Sequence, residues 1–414
     1  MRDVCGTDAK PMLSIKEALD RINLAITPVG ETEIIALKHA LGRVLADTQY
    51  SPINIPCARN AAMDGYAFAS DGHLDGQAFT LHVAGTSWAG RPFDGCLERQ
   101  SCVRIFTGAV VPEALDSVIM QEQIIVDGDA VHFPAHAPIR QNIRAAGEDV
   151  EQGGLLCAAP KKLTASDMGL LAAAGIAEIT VKRRLNIAFF STGDELTALG
   201  QPLQAGKIYD SNRYLLSGLL ADACNTVVDG GVIADDKSLL EDILRQAAKD
   251  YDVIITTGGA SVGAADYIKD VLACCGDVNF WKIAVKPGKP LAFGKIGACH
   301  FFGLPGNPVA VLVTFQQLVA PALQQLAGAP ARKPLRFAAT CTQPLKKAPG
   351  RQEFQNGILS QDHDGAFSVA ASGPQGSHRL NSAHKANCYI ILPIDCNGVK
   401  AGEQVIVEPF STFI

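Results

Sequence analysis

No two cysteines in this chain are spaced Cys-x-x-Cys, although there are twelve, so the usual framework of a zinc ribbon or a redox dithiol is missing. Cys274 and Cys275 are adjacent and most of the others lie inside apolar runs, which reads as small core residues in a reducing compartment. Apolar stretches approaching the ~18 residues needed to cross a bilayer are missing too. Residues 1–10 carry charge where a signal peptide needs an apolar segment, so a cytoplasmic protein with no membrane association is expected. There is no basic excess, since 36 Lys and Arg face 42 Asp and Glu for a formal charge of −6. Nucleic-acid binding needs clustered cations and is not expected; any anion must be held by a few local charges. The nine histidines are scattered, with His132 and His136 separated by Phe-Pro rather than placed on one helical face, and no zinc site is expected. No Gly-Lys-Ser/Thr follows a strand and no Gly-x-Gly-x-x-Gly opens a helix, which removes a Walker loop and a dinucleotide fold.

What is present is enough apolar sequence, 48% of 414 residues, for about three domains with their own cores. Ser14-Ile-Lys-Glu17 forms a capping box ahead of Ile15, Ala18, Leu19 and Ile22, which predicts an amphipathic helix over 15–26 ended by Thr27-Pro28. Two prolines within 51–56 force an extended connector, read as a domain boundary. Residues 78–139 break into short strands at 79–83, 102–106, 118–121 and 131–133, a small β domain. Thr164-Ala-Ser-Asp167 opens another helix, and Gly175 is placed to end it. From 185 onward, strands at 186–190, 226–233, 253–257 and 300–304 alternate with helical patterns near 212–223, 237–249 and 265–273. That alternation predicts βαβ units and a doubly wound parallel sheet. Beyond Ala327-Gly-Ala-Pro330, short strands at 335–341, 357–359, 366–370, 388–392 and 405–407 predict a small terminal β domain.

Ligands of such sheets bind beyond the carboxyl ends of the strands. The run 253–257 is β-branched and uncharged, and Gly258, Gly259 and Gly263 follow it, with Asp266 in the first turn of the next helix. A strand, glycine loop and helix start of this kind seats a phosphate on free N–H groups, and a carboxylate so close suits a phosphate that arrives with a divalent metal. Other strand ends carry Asp194-Glu195, Asp235-Asp236 and Pro305-Gly-Asn-Pro308. Asp235 or Asp236 can cap the helix at 237, and Asn307 with Pro308 is an N-cap and first-turn pair. Capping does not account for Glu195 and Asp266. Between these ends, Lys282, Lys286 and Lys289 lie on one predicted hairpin with Pro-Gly in its turn, able to hold an oxyanion or phosphate.

Taken in order, these segments resemble one family, the MoeA-type molybdopterin molybdenumtransferases, which include the E domain of gephyrin. The resemblance runs from about residue 14 to 410. It rests on Ala62-Met-Asp64-Gly-Tyr-Ala, Thr107-Gly-Ala, Gly147-Glu-Asp149, Ser191-Thr-Gly-Asp-Glu195-Leu, Tyr209-Asp-Ser-Asn212, the 257–267 loop, Lys286-Pro-Gly-Lys-Pro, Leu304-Pro-Gly-Asn-Pro and Gly376-Ser377-His. It implies an elongated, four-domain protomer that forms a homodimer. Its parts are a discontinuous linker and dimerisation domain (1–50 and 140–180), a β-rich insert (51–139), a doubly wound α/β molybdopterin-binding domain (181–329) and a small C-terminal β-barrel (330–414). It also implies a reaction in molybdenum cofactor biosynthesis: molybdate enters the dithiolene of adenylylated molybdopterin, the pyrophosphate linkage is cleaved with magnesium, and AMP leaves. Glu195, Asp235 and Asp266 would hold Mg2+. Gly258, Gly259, Ser261 and Gly263 would cradle phosphate, and Lys282, Lys286 and Lys289 would bind anionic substrate or molybdate. Ser377 would join the substrate site, and Asp64, Thr107 and Asp149 would complete it from other domains. Pro305 and Pro308 would shape their loop. Transient contact with a molybdopterin adenylyltransferase, and with molybdoenzymes or their chaperones, is implied as well. The chain departs from the family pattern at Ala58-Arg59-Asn60-Ala61 and at Asn356, where an arginine is common.

Two rival readings stand beside this one. Gly259-Ala-Ser261-Val-Gly263 matches the nucleophile elbow of α/β serine hydrolases, with His300 the nearest downstream histidine. Alternatively, the chain is a non-catalytic scaffold of the same fold, against which the clustered acids argue.

Overall fold

The computed structural model describes residues 12–71, 73, 76–137, 139–234, 236–258, 271–331 and 333–410. They fall into two compact units, one drawn from Met1–Glu33, Gly42–Val44 and Val181–Ile414, the other from Ile34–Leu41 and Leu45–Thr180.

In the first unit, the long helices are α1 (Ile15–Ala25), α2 (Ser211–Leu219), α3 (Lys237–Asp250) and α4 (Pro308–Leu326). The capping box that opens α1 is formed: Ser14 Oγ accepts from the Glu17 amide at 3.2 Å, and the Glu17 carboxylate accepts from the Ser14 amide at 2.7 Å. Asp236 caps α3 through the Leu239 amide at 2.8 Å. Asn307 occupies the N-cap of α4 with Pro308 behind it, but its side chain makes no capping bond.

Six strands form the central sheet: β1 (Leu185–Thr192), β2 (Asn225–Ile233), β3 (Val253–Thr257), β4 (Asp277–Lys282), β5 (Pro290–Ile296) and β6 (Cys299–Leu304), in the order β2-β1-β3-β6-β5-β4. The first four in that order run parallel. β5 and β4 are antiparallel additions, because the links 283–289 and 297–298 are far too short for the crossover that parallel strands require. Successive residues face opposite cores. Leu185, Ile187 and Phe189 of β1 share one core with Val253, Ile255, Phe302 and Leu304, covered by α1, α2 and α4. Ala188, Phe190, Ile254 and Phe301 enter a second core with Leu240 and Leu244 of α3. Burial on both faces explains why these strands read as unbroken apolar runs.

The helix α4 corrects one expectation. Its 19 residues are long and apolar enough by length and composition to cross a membrane, yet 67% of its most apolar 18-residue window is buried inside the protein, as in a core helix. A π turn at Phe315–Val319 interrupts it just before Pro321. Proline brings no N–H and crowds the carbonyl four residues earlier, and a widened turn relieves both conflicts.

The rest of the first unit is a closed barrel of β7 (Phe337–Cys341), β8 (Gln352–Gln361), β9 (Phe367–Ala371), β10 (Cys388–Leu392) and β11 (Gln404–Pro409). Pairing runs β8-β9-β7-β11-β10 and returns to β8. Ala339, Cys341, Val369, Ile390 and Val407 fill it. The short strand Val285–Lys286, in the turn between β4 and β5, adds in parallel to the start of β8, with Lys286 opposite Glu353. This places the lysine hairpin against the barrel.

The second unit carries a six-stranded sheet ordered Ser117–Met120, Gly65–Phe68, Ser101–Ile105, Phe79–Ser87, Ala130–Phe133, Ile125–Asp127. Ala67, Val103 and Val118 fill one face and Tyr66, Phe68 and Ile119 the other. Gly65 explains the small residue after Asp64, since a Cβ there would lie 1.8 Å from the Ile119 carbonyl oxygen. The helix Ala165–Ala173 begins with the Thr164–Asp167 capping box, and Gly175 follows it in the left-handed region at φ 78°.

Candidate functional site

The parallel strands β1, β3 and β6 present their carboxyl ends together. Thr192 Oγ1 donates to the Thr257 carbonyl at 3.3 Å, and Ser191 and Thr257 hydroxyls lie 3.4 Å apart. Gly258 then turns at φ 88°, where a Cβ would fall 2.3 Å from the Thr192 carbonyl oxygen, so only glycine fits. Gly306, after β6, lies beside Gly258: a Cβ on it would make an ordinary van der Waals contact of 3.7 Å with the Gly258 Cα. Asn212 Nδ2, at the start of α2, donates to the Gly306 carbonyl at 2.7 Å and fixes that loop. After β1, Glu195 is exposed and its carboxylate folds over Gly193, where a Cβ would meet it at 2.5 Å. Asp235, Gly259, Ser261, Gly263 and Asp266 lie outside the described residues.

Beside these strand ends is a cavity of about 320 Å³. Three stretches singled out in the sequence line it: Lys286-Pro-Gly-Lys289-Pro, Pro305-Gly-Asn307 and Gly376-Ser377. The fourth wall, Arg351 and Glu353 to Asn356, comes from the start of β8. Gly288 in the lysine turn has φ 115°, and a Cβ there would press to 2.6 Å on the Thr314 hydroxyl. Lys286 Nζ lies 2.9 Å from Glu353 Oε1, the lysine half exposed and the carboxylate nearly buried. Asn356 donates its backbone amide to Gln375 Oε1 at 2.8 Å, and Gln375 Nε2 returns a bond to the Asn356 carbonyl at 3.1 Å, which holds the Gly376-Ser377 turn on the wall. Formal charges on the wall are three positive (Lys286, Lys289, Arg351) and one negative (Glu353). A half-open cavity with this excess of cationic groups suits an anion.

Not every expected residue is gathered here. Lys282, the last residue of β4, is exposed, stands opposite Pro290, and does not line the cavity. Pro308 begins α4 and does not line it either, whereas Pro305 does. Arg351 was visible in the sequence only as part of a Pro-Gly-Arg turn. Glu353, Gln355 and Gln375 carried no sequence signal.

In the second unit, Asp64 and Thr107 meet. Asp64 Oδ1 accepts from the Thr107 amide at 2.7 Å and from its hydroxyl at 2.8 Å. These bonds, the amide first, hold the Asp64 carboxyl below the usual aspartate value. Asp149 is exposed in a turn whose Glu148 carboxylate accepts from the Ala145 amide at 2.9 Å. The strand pair Ile143–Ala61 and Arg144–Asn60 joins the segment leading to that turn to the one leading to Asp64.

The geometry disfavours a serine hydrolase. His300 pairs with Val253 at the opposite end of β3 from the glycine loop, four residues and therefore about 13 Å from it. It is buried, and burial first, with Lys295 second, pushes its pKa down to about 4.

Fold and cavity together define a multidomain α/β protein with a cationic pocket between its sheet and its terminal barrel. Family models match almost the whole chain: the MoeA N-terminal region (domain I and II) over 13–175, a probable molybdopterin binding domain over 188–325, and the MoeA C-terminal region (domain IV) over 338–410. The chain is 44% identical to a molybdopterin molybdenumtransferase of Haemophilus influenzae, over 97% of this chain and 99% of that one. It is 35% identical to molybdopterin molybdenumtransferase 2 of Mycobacterium tuberculosis, over 90% and 94%. A crystal structure of the molybdopterin biosynthesis MoeA protein from Pyrococcus horikoshii OT3 superimposes with a TM-score of 0.82 at 27% identity, covering 97% of this chain and all of that one. The chain belongs to the MoeA family of molybdopterin molybdenumtransferases.

Proposed function

We propose that this enzyme of molybdenum cofactor biosynthesis takes molybdate into the cavity walled by Lys286, Lys289 and Arg351 and passes it to the dithiolene of adenylylated molybdopterin. The observation that carries this reading is convergence: separate glycine- and proline-rich turns, far apart in sequence, line one cationic cavity beside the strand ends. Ser377 and Pro305 shape the enclosure, and Lys286 and Lys289 donate hydrogen bonds to oxyanion oxygens. In this reading Gly258, Gly259, Ser261 and Gly263 would cradle the pyrophosphate through backbone N–H groups. Mg2+ would be held by Glu195, Asp235 and Asp266, whose hard carboxylate oxygens suit it, and when bound would neutralise charge on the phosphates as the anhydride is cleaved and AMP leaves. The fit is supported by Glu195, exposed at the β1 end and folded over Gly193. Asp64, kept ionised by Thr107, and Asp149 belong to the same reading as groups that orient substrate. A non-catalytic scaffold would have no use for this cationic wall.

The same reading includes a four-domain homodimer with the boundaries given above and a cytoplasmic setting, supported by the free cysteines among the described residues. It also includes transient partners that deliver the adenylylated pterin and accept the finished cofactor. The test is molybdate-dependent release of AMP from adenylylated molybdopterin by the full chain and by Arg351→Ala. A drop of about tenfold or more in kcat/KM for molybdate is expected, because one charge-assisted contact is lost. An unchanged kcat/KM would overturn the assignment of the cavity.

A further inference from the structure

The geometry points to Glu353 as the residue that sets how tightly the cavity holds its oxyanion, orienting Lys286 while lowering the positive potential so that the anion can leave again. This rests on the oxyanion reading just given. Glu353 is only 4% exposed on the cavity wall. Its Oε1 takes the Lys286 ammonium at 2.9 Å and its Oε2 accepts from Gln355 Nε2 at 2.9 Å. Gln355 Nε2 is itself anchored on the Lys346 carbonyl at 3.0 Å. The parallel pairing of Lys286 with Glu353 fixes both backbones. Lys286 is therefore aimed by a rigid partner rather than left as a free tether.

A nearly buried carboxylate is an odd component for a site whose only task is to attract an anion. It reduces the formal charge of the wall from +3 to +2 and repels the ligand. For a substrate that must be handed on, the repulsion has a use. Binding that is equally strong before and during the reaction lowers KM without raising turnover, and an anion held too firmly delays its own transfer. Glu353 acts through Lys286 and through the field in the cavity, as a positioning residue and not as a group that reacts.

The test uses the full chain, at fixed ionic strength, with three tetrahedral anions of similar size as probes: the dianions molybdate and tungstate and the monoanion perrhenate. Glu353→Gln keeps an acceptor for Lys286 and removes the charge; Glu353→Asp keeps the charge. Calorimetry should show Glu353→Gln binding the dianions about tenfold more tightly and perrhenate about threefold, since the charge–charge energy scales with ligand charge. Glu353→Asp should stay within about twofold of the parent. In AMP release, Glu353→Gln should lower both the KM for molybdate and kcat. Affinities that are unchanged or weaker in Glu353→Gln, or that shift by one common factor for monoanion and dianions, would overturn the proposal and leave Glu353 a structural residue. A parent chain that binds none of the three anions would overturn the oxyanion reading itself, and this inference with it.

Discussion

Replacing Lys286 by methionine separates the stability of the cavity wall from its function. Opposite charges 2.9 Å apart attract by about 6 kcal/mol at an effective dielectric constant of about 20. Much of that is offset by the cost of holding a carboxylate whose side chain is only 6% exposed. Removing one partner of a fully buried pair costs about 3–5 kcal/mol, but the Lys286 side chain is 50% exposed and water screens it, so a loss of about 2 kcal/mol is expected for Lys286→Met. The uncompensated Glu353 is the source of that loss. Lys286→Met combined with Glu353→Met should therefore recover most of it, to within about 0.5 kcal/mol of the parent, while molybdate binding is weakened in the single variant. Urea unfolding of the full chain can be followed by Trp281 in β4, which packs at 5.5 Å on Phe293, after Trp88 of the second unit is changed to phenylalanine. A single variant as stable as the parent, or a double variant less stable than the single one, would refute the reasoning.

Thr107→Val removes the hydroxyl that bonds Asp64 and leaves the stronger backbone bond, so the Asp64 pKa should rise part of the way toward the ordinary aspartate value. Because the folded pKa is depressed, the stability tied to Asp64 is present above the ordinary value and lost as pH falls through the depressed one. The variant should lose it at a higher pH, as read by carboxyl NMR titration, and an unmoved titration would show that the hydroxyl bond does not matter in solution. Gly258→Ala places a side chain at φ 88° against the Thr192 carbonyl. With about 1–2 kcal/mol of backbone strain plus that clash, it should lower the thermal midpoint and abolish AMP release, and a variant with parental midpoint and turnover would show that the turn is not needed.

Much of this architecture was legible because its causes are local. The strands β1, β3 and β6 read as continuous apolar runs since both of their faces are buried. The capping boxes at Ser14 and Thr164 were legible from two residues each, and the lysine hairpin from Pro287-Gly288. The start of β8 was not legible. Glu353 and Asn356 are buried, but the bonds that make the Glu353 carboxylate and the Asn356 backbone tolerable there come from Lys286 and Gln375, distant in sequence. A polar run satisfied by long-range partners looks like a surface loop until the partners are placed. Lys282 shows the converse. Three lysines close together in sequence invited a single cluster, whereas β4 ends at Lys282, which stands exposed and off the cavity, and only Lys286 and Lys289 lie in the turn that lines it. The antiparallel edge of the sheet follows from link length, a feature that strand alternation alone does not reveal. For the acidic loops the sequence reading goes further than the described structure, since Asp235 and Asp266 fall outside it.

The most direct measurement is crystallographic: molybdate soaked into crystals of the full chain, with data collected across the molybdenum absorption edge. One anomalous peak is expected within hydrogen-bonding reach of Lys286, Lys289 and Arg351, with its loss in crystals of Arg351→Ala. A peak elsewhere with this cavity unlabelled, or a peak that survives the substitution undiminished, would contradict the claim that this cavity is where the enzyme holds its oxyanion.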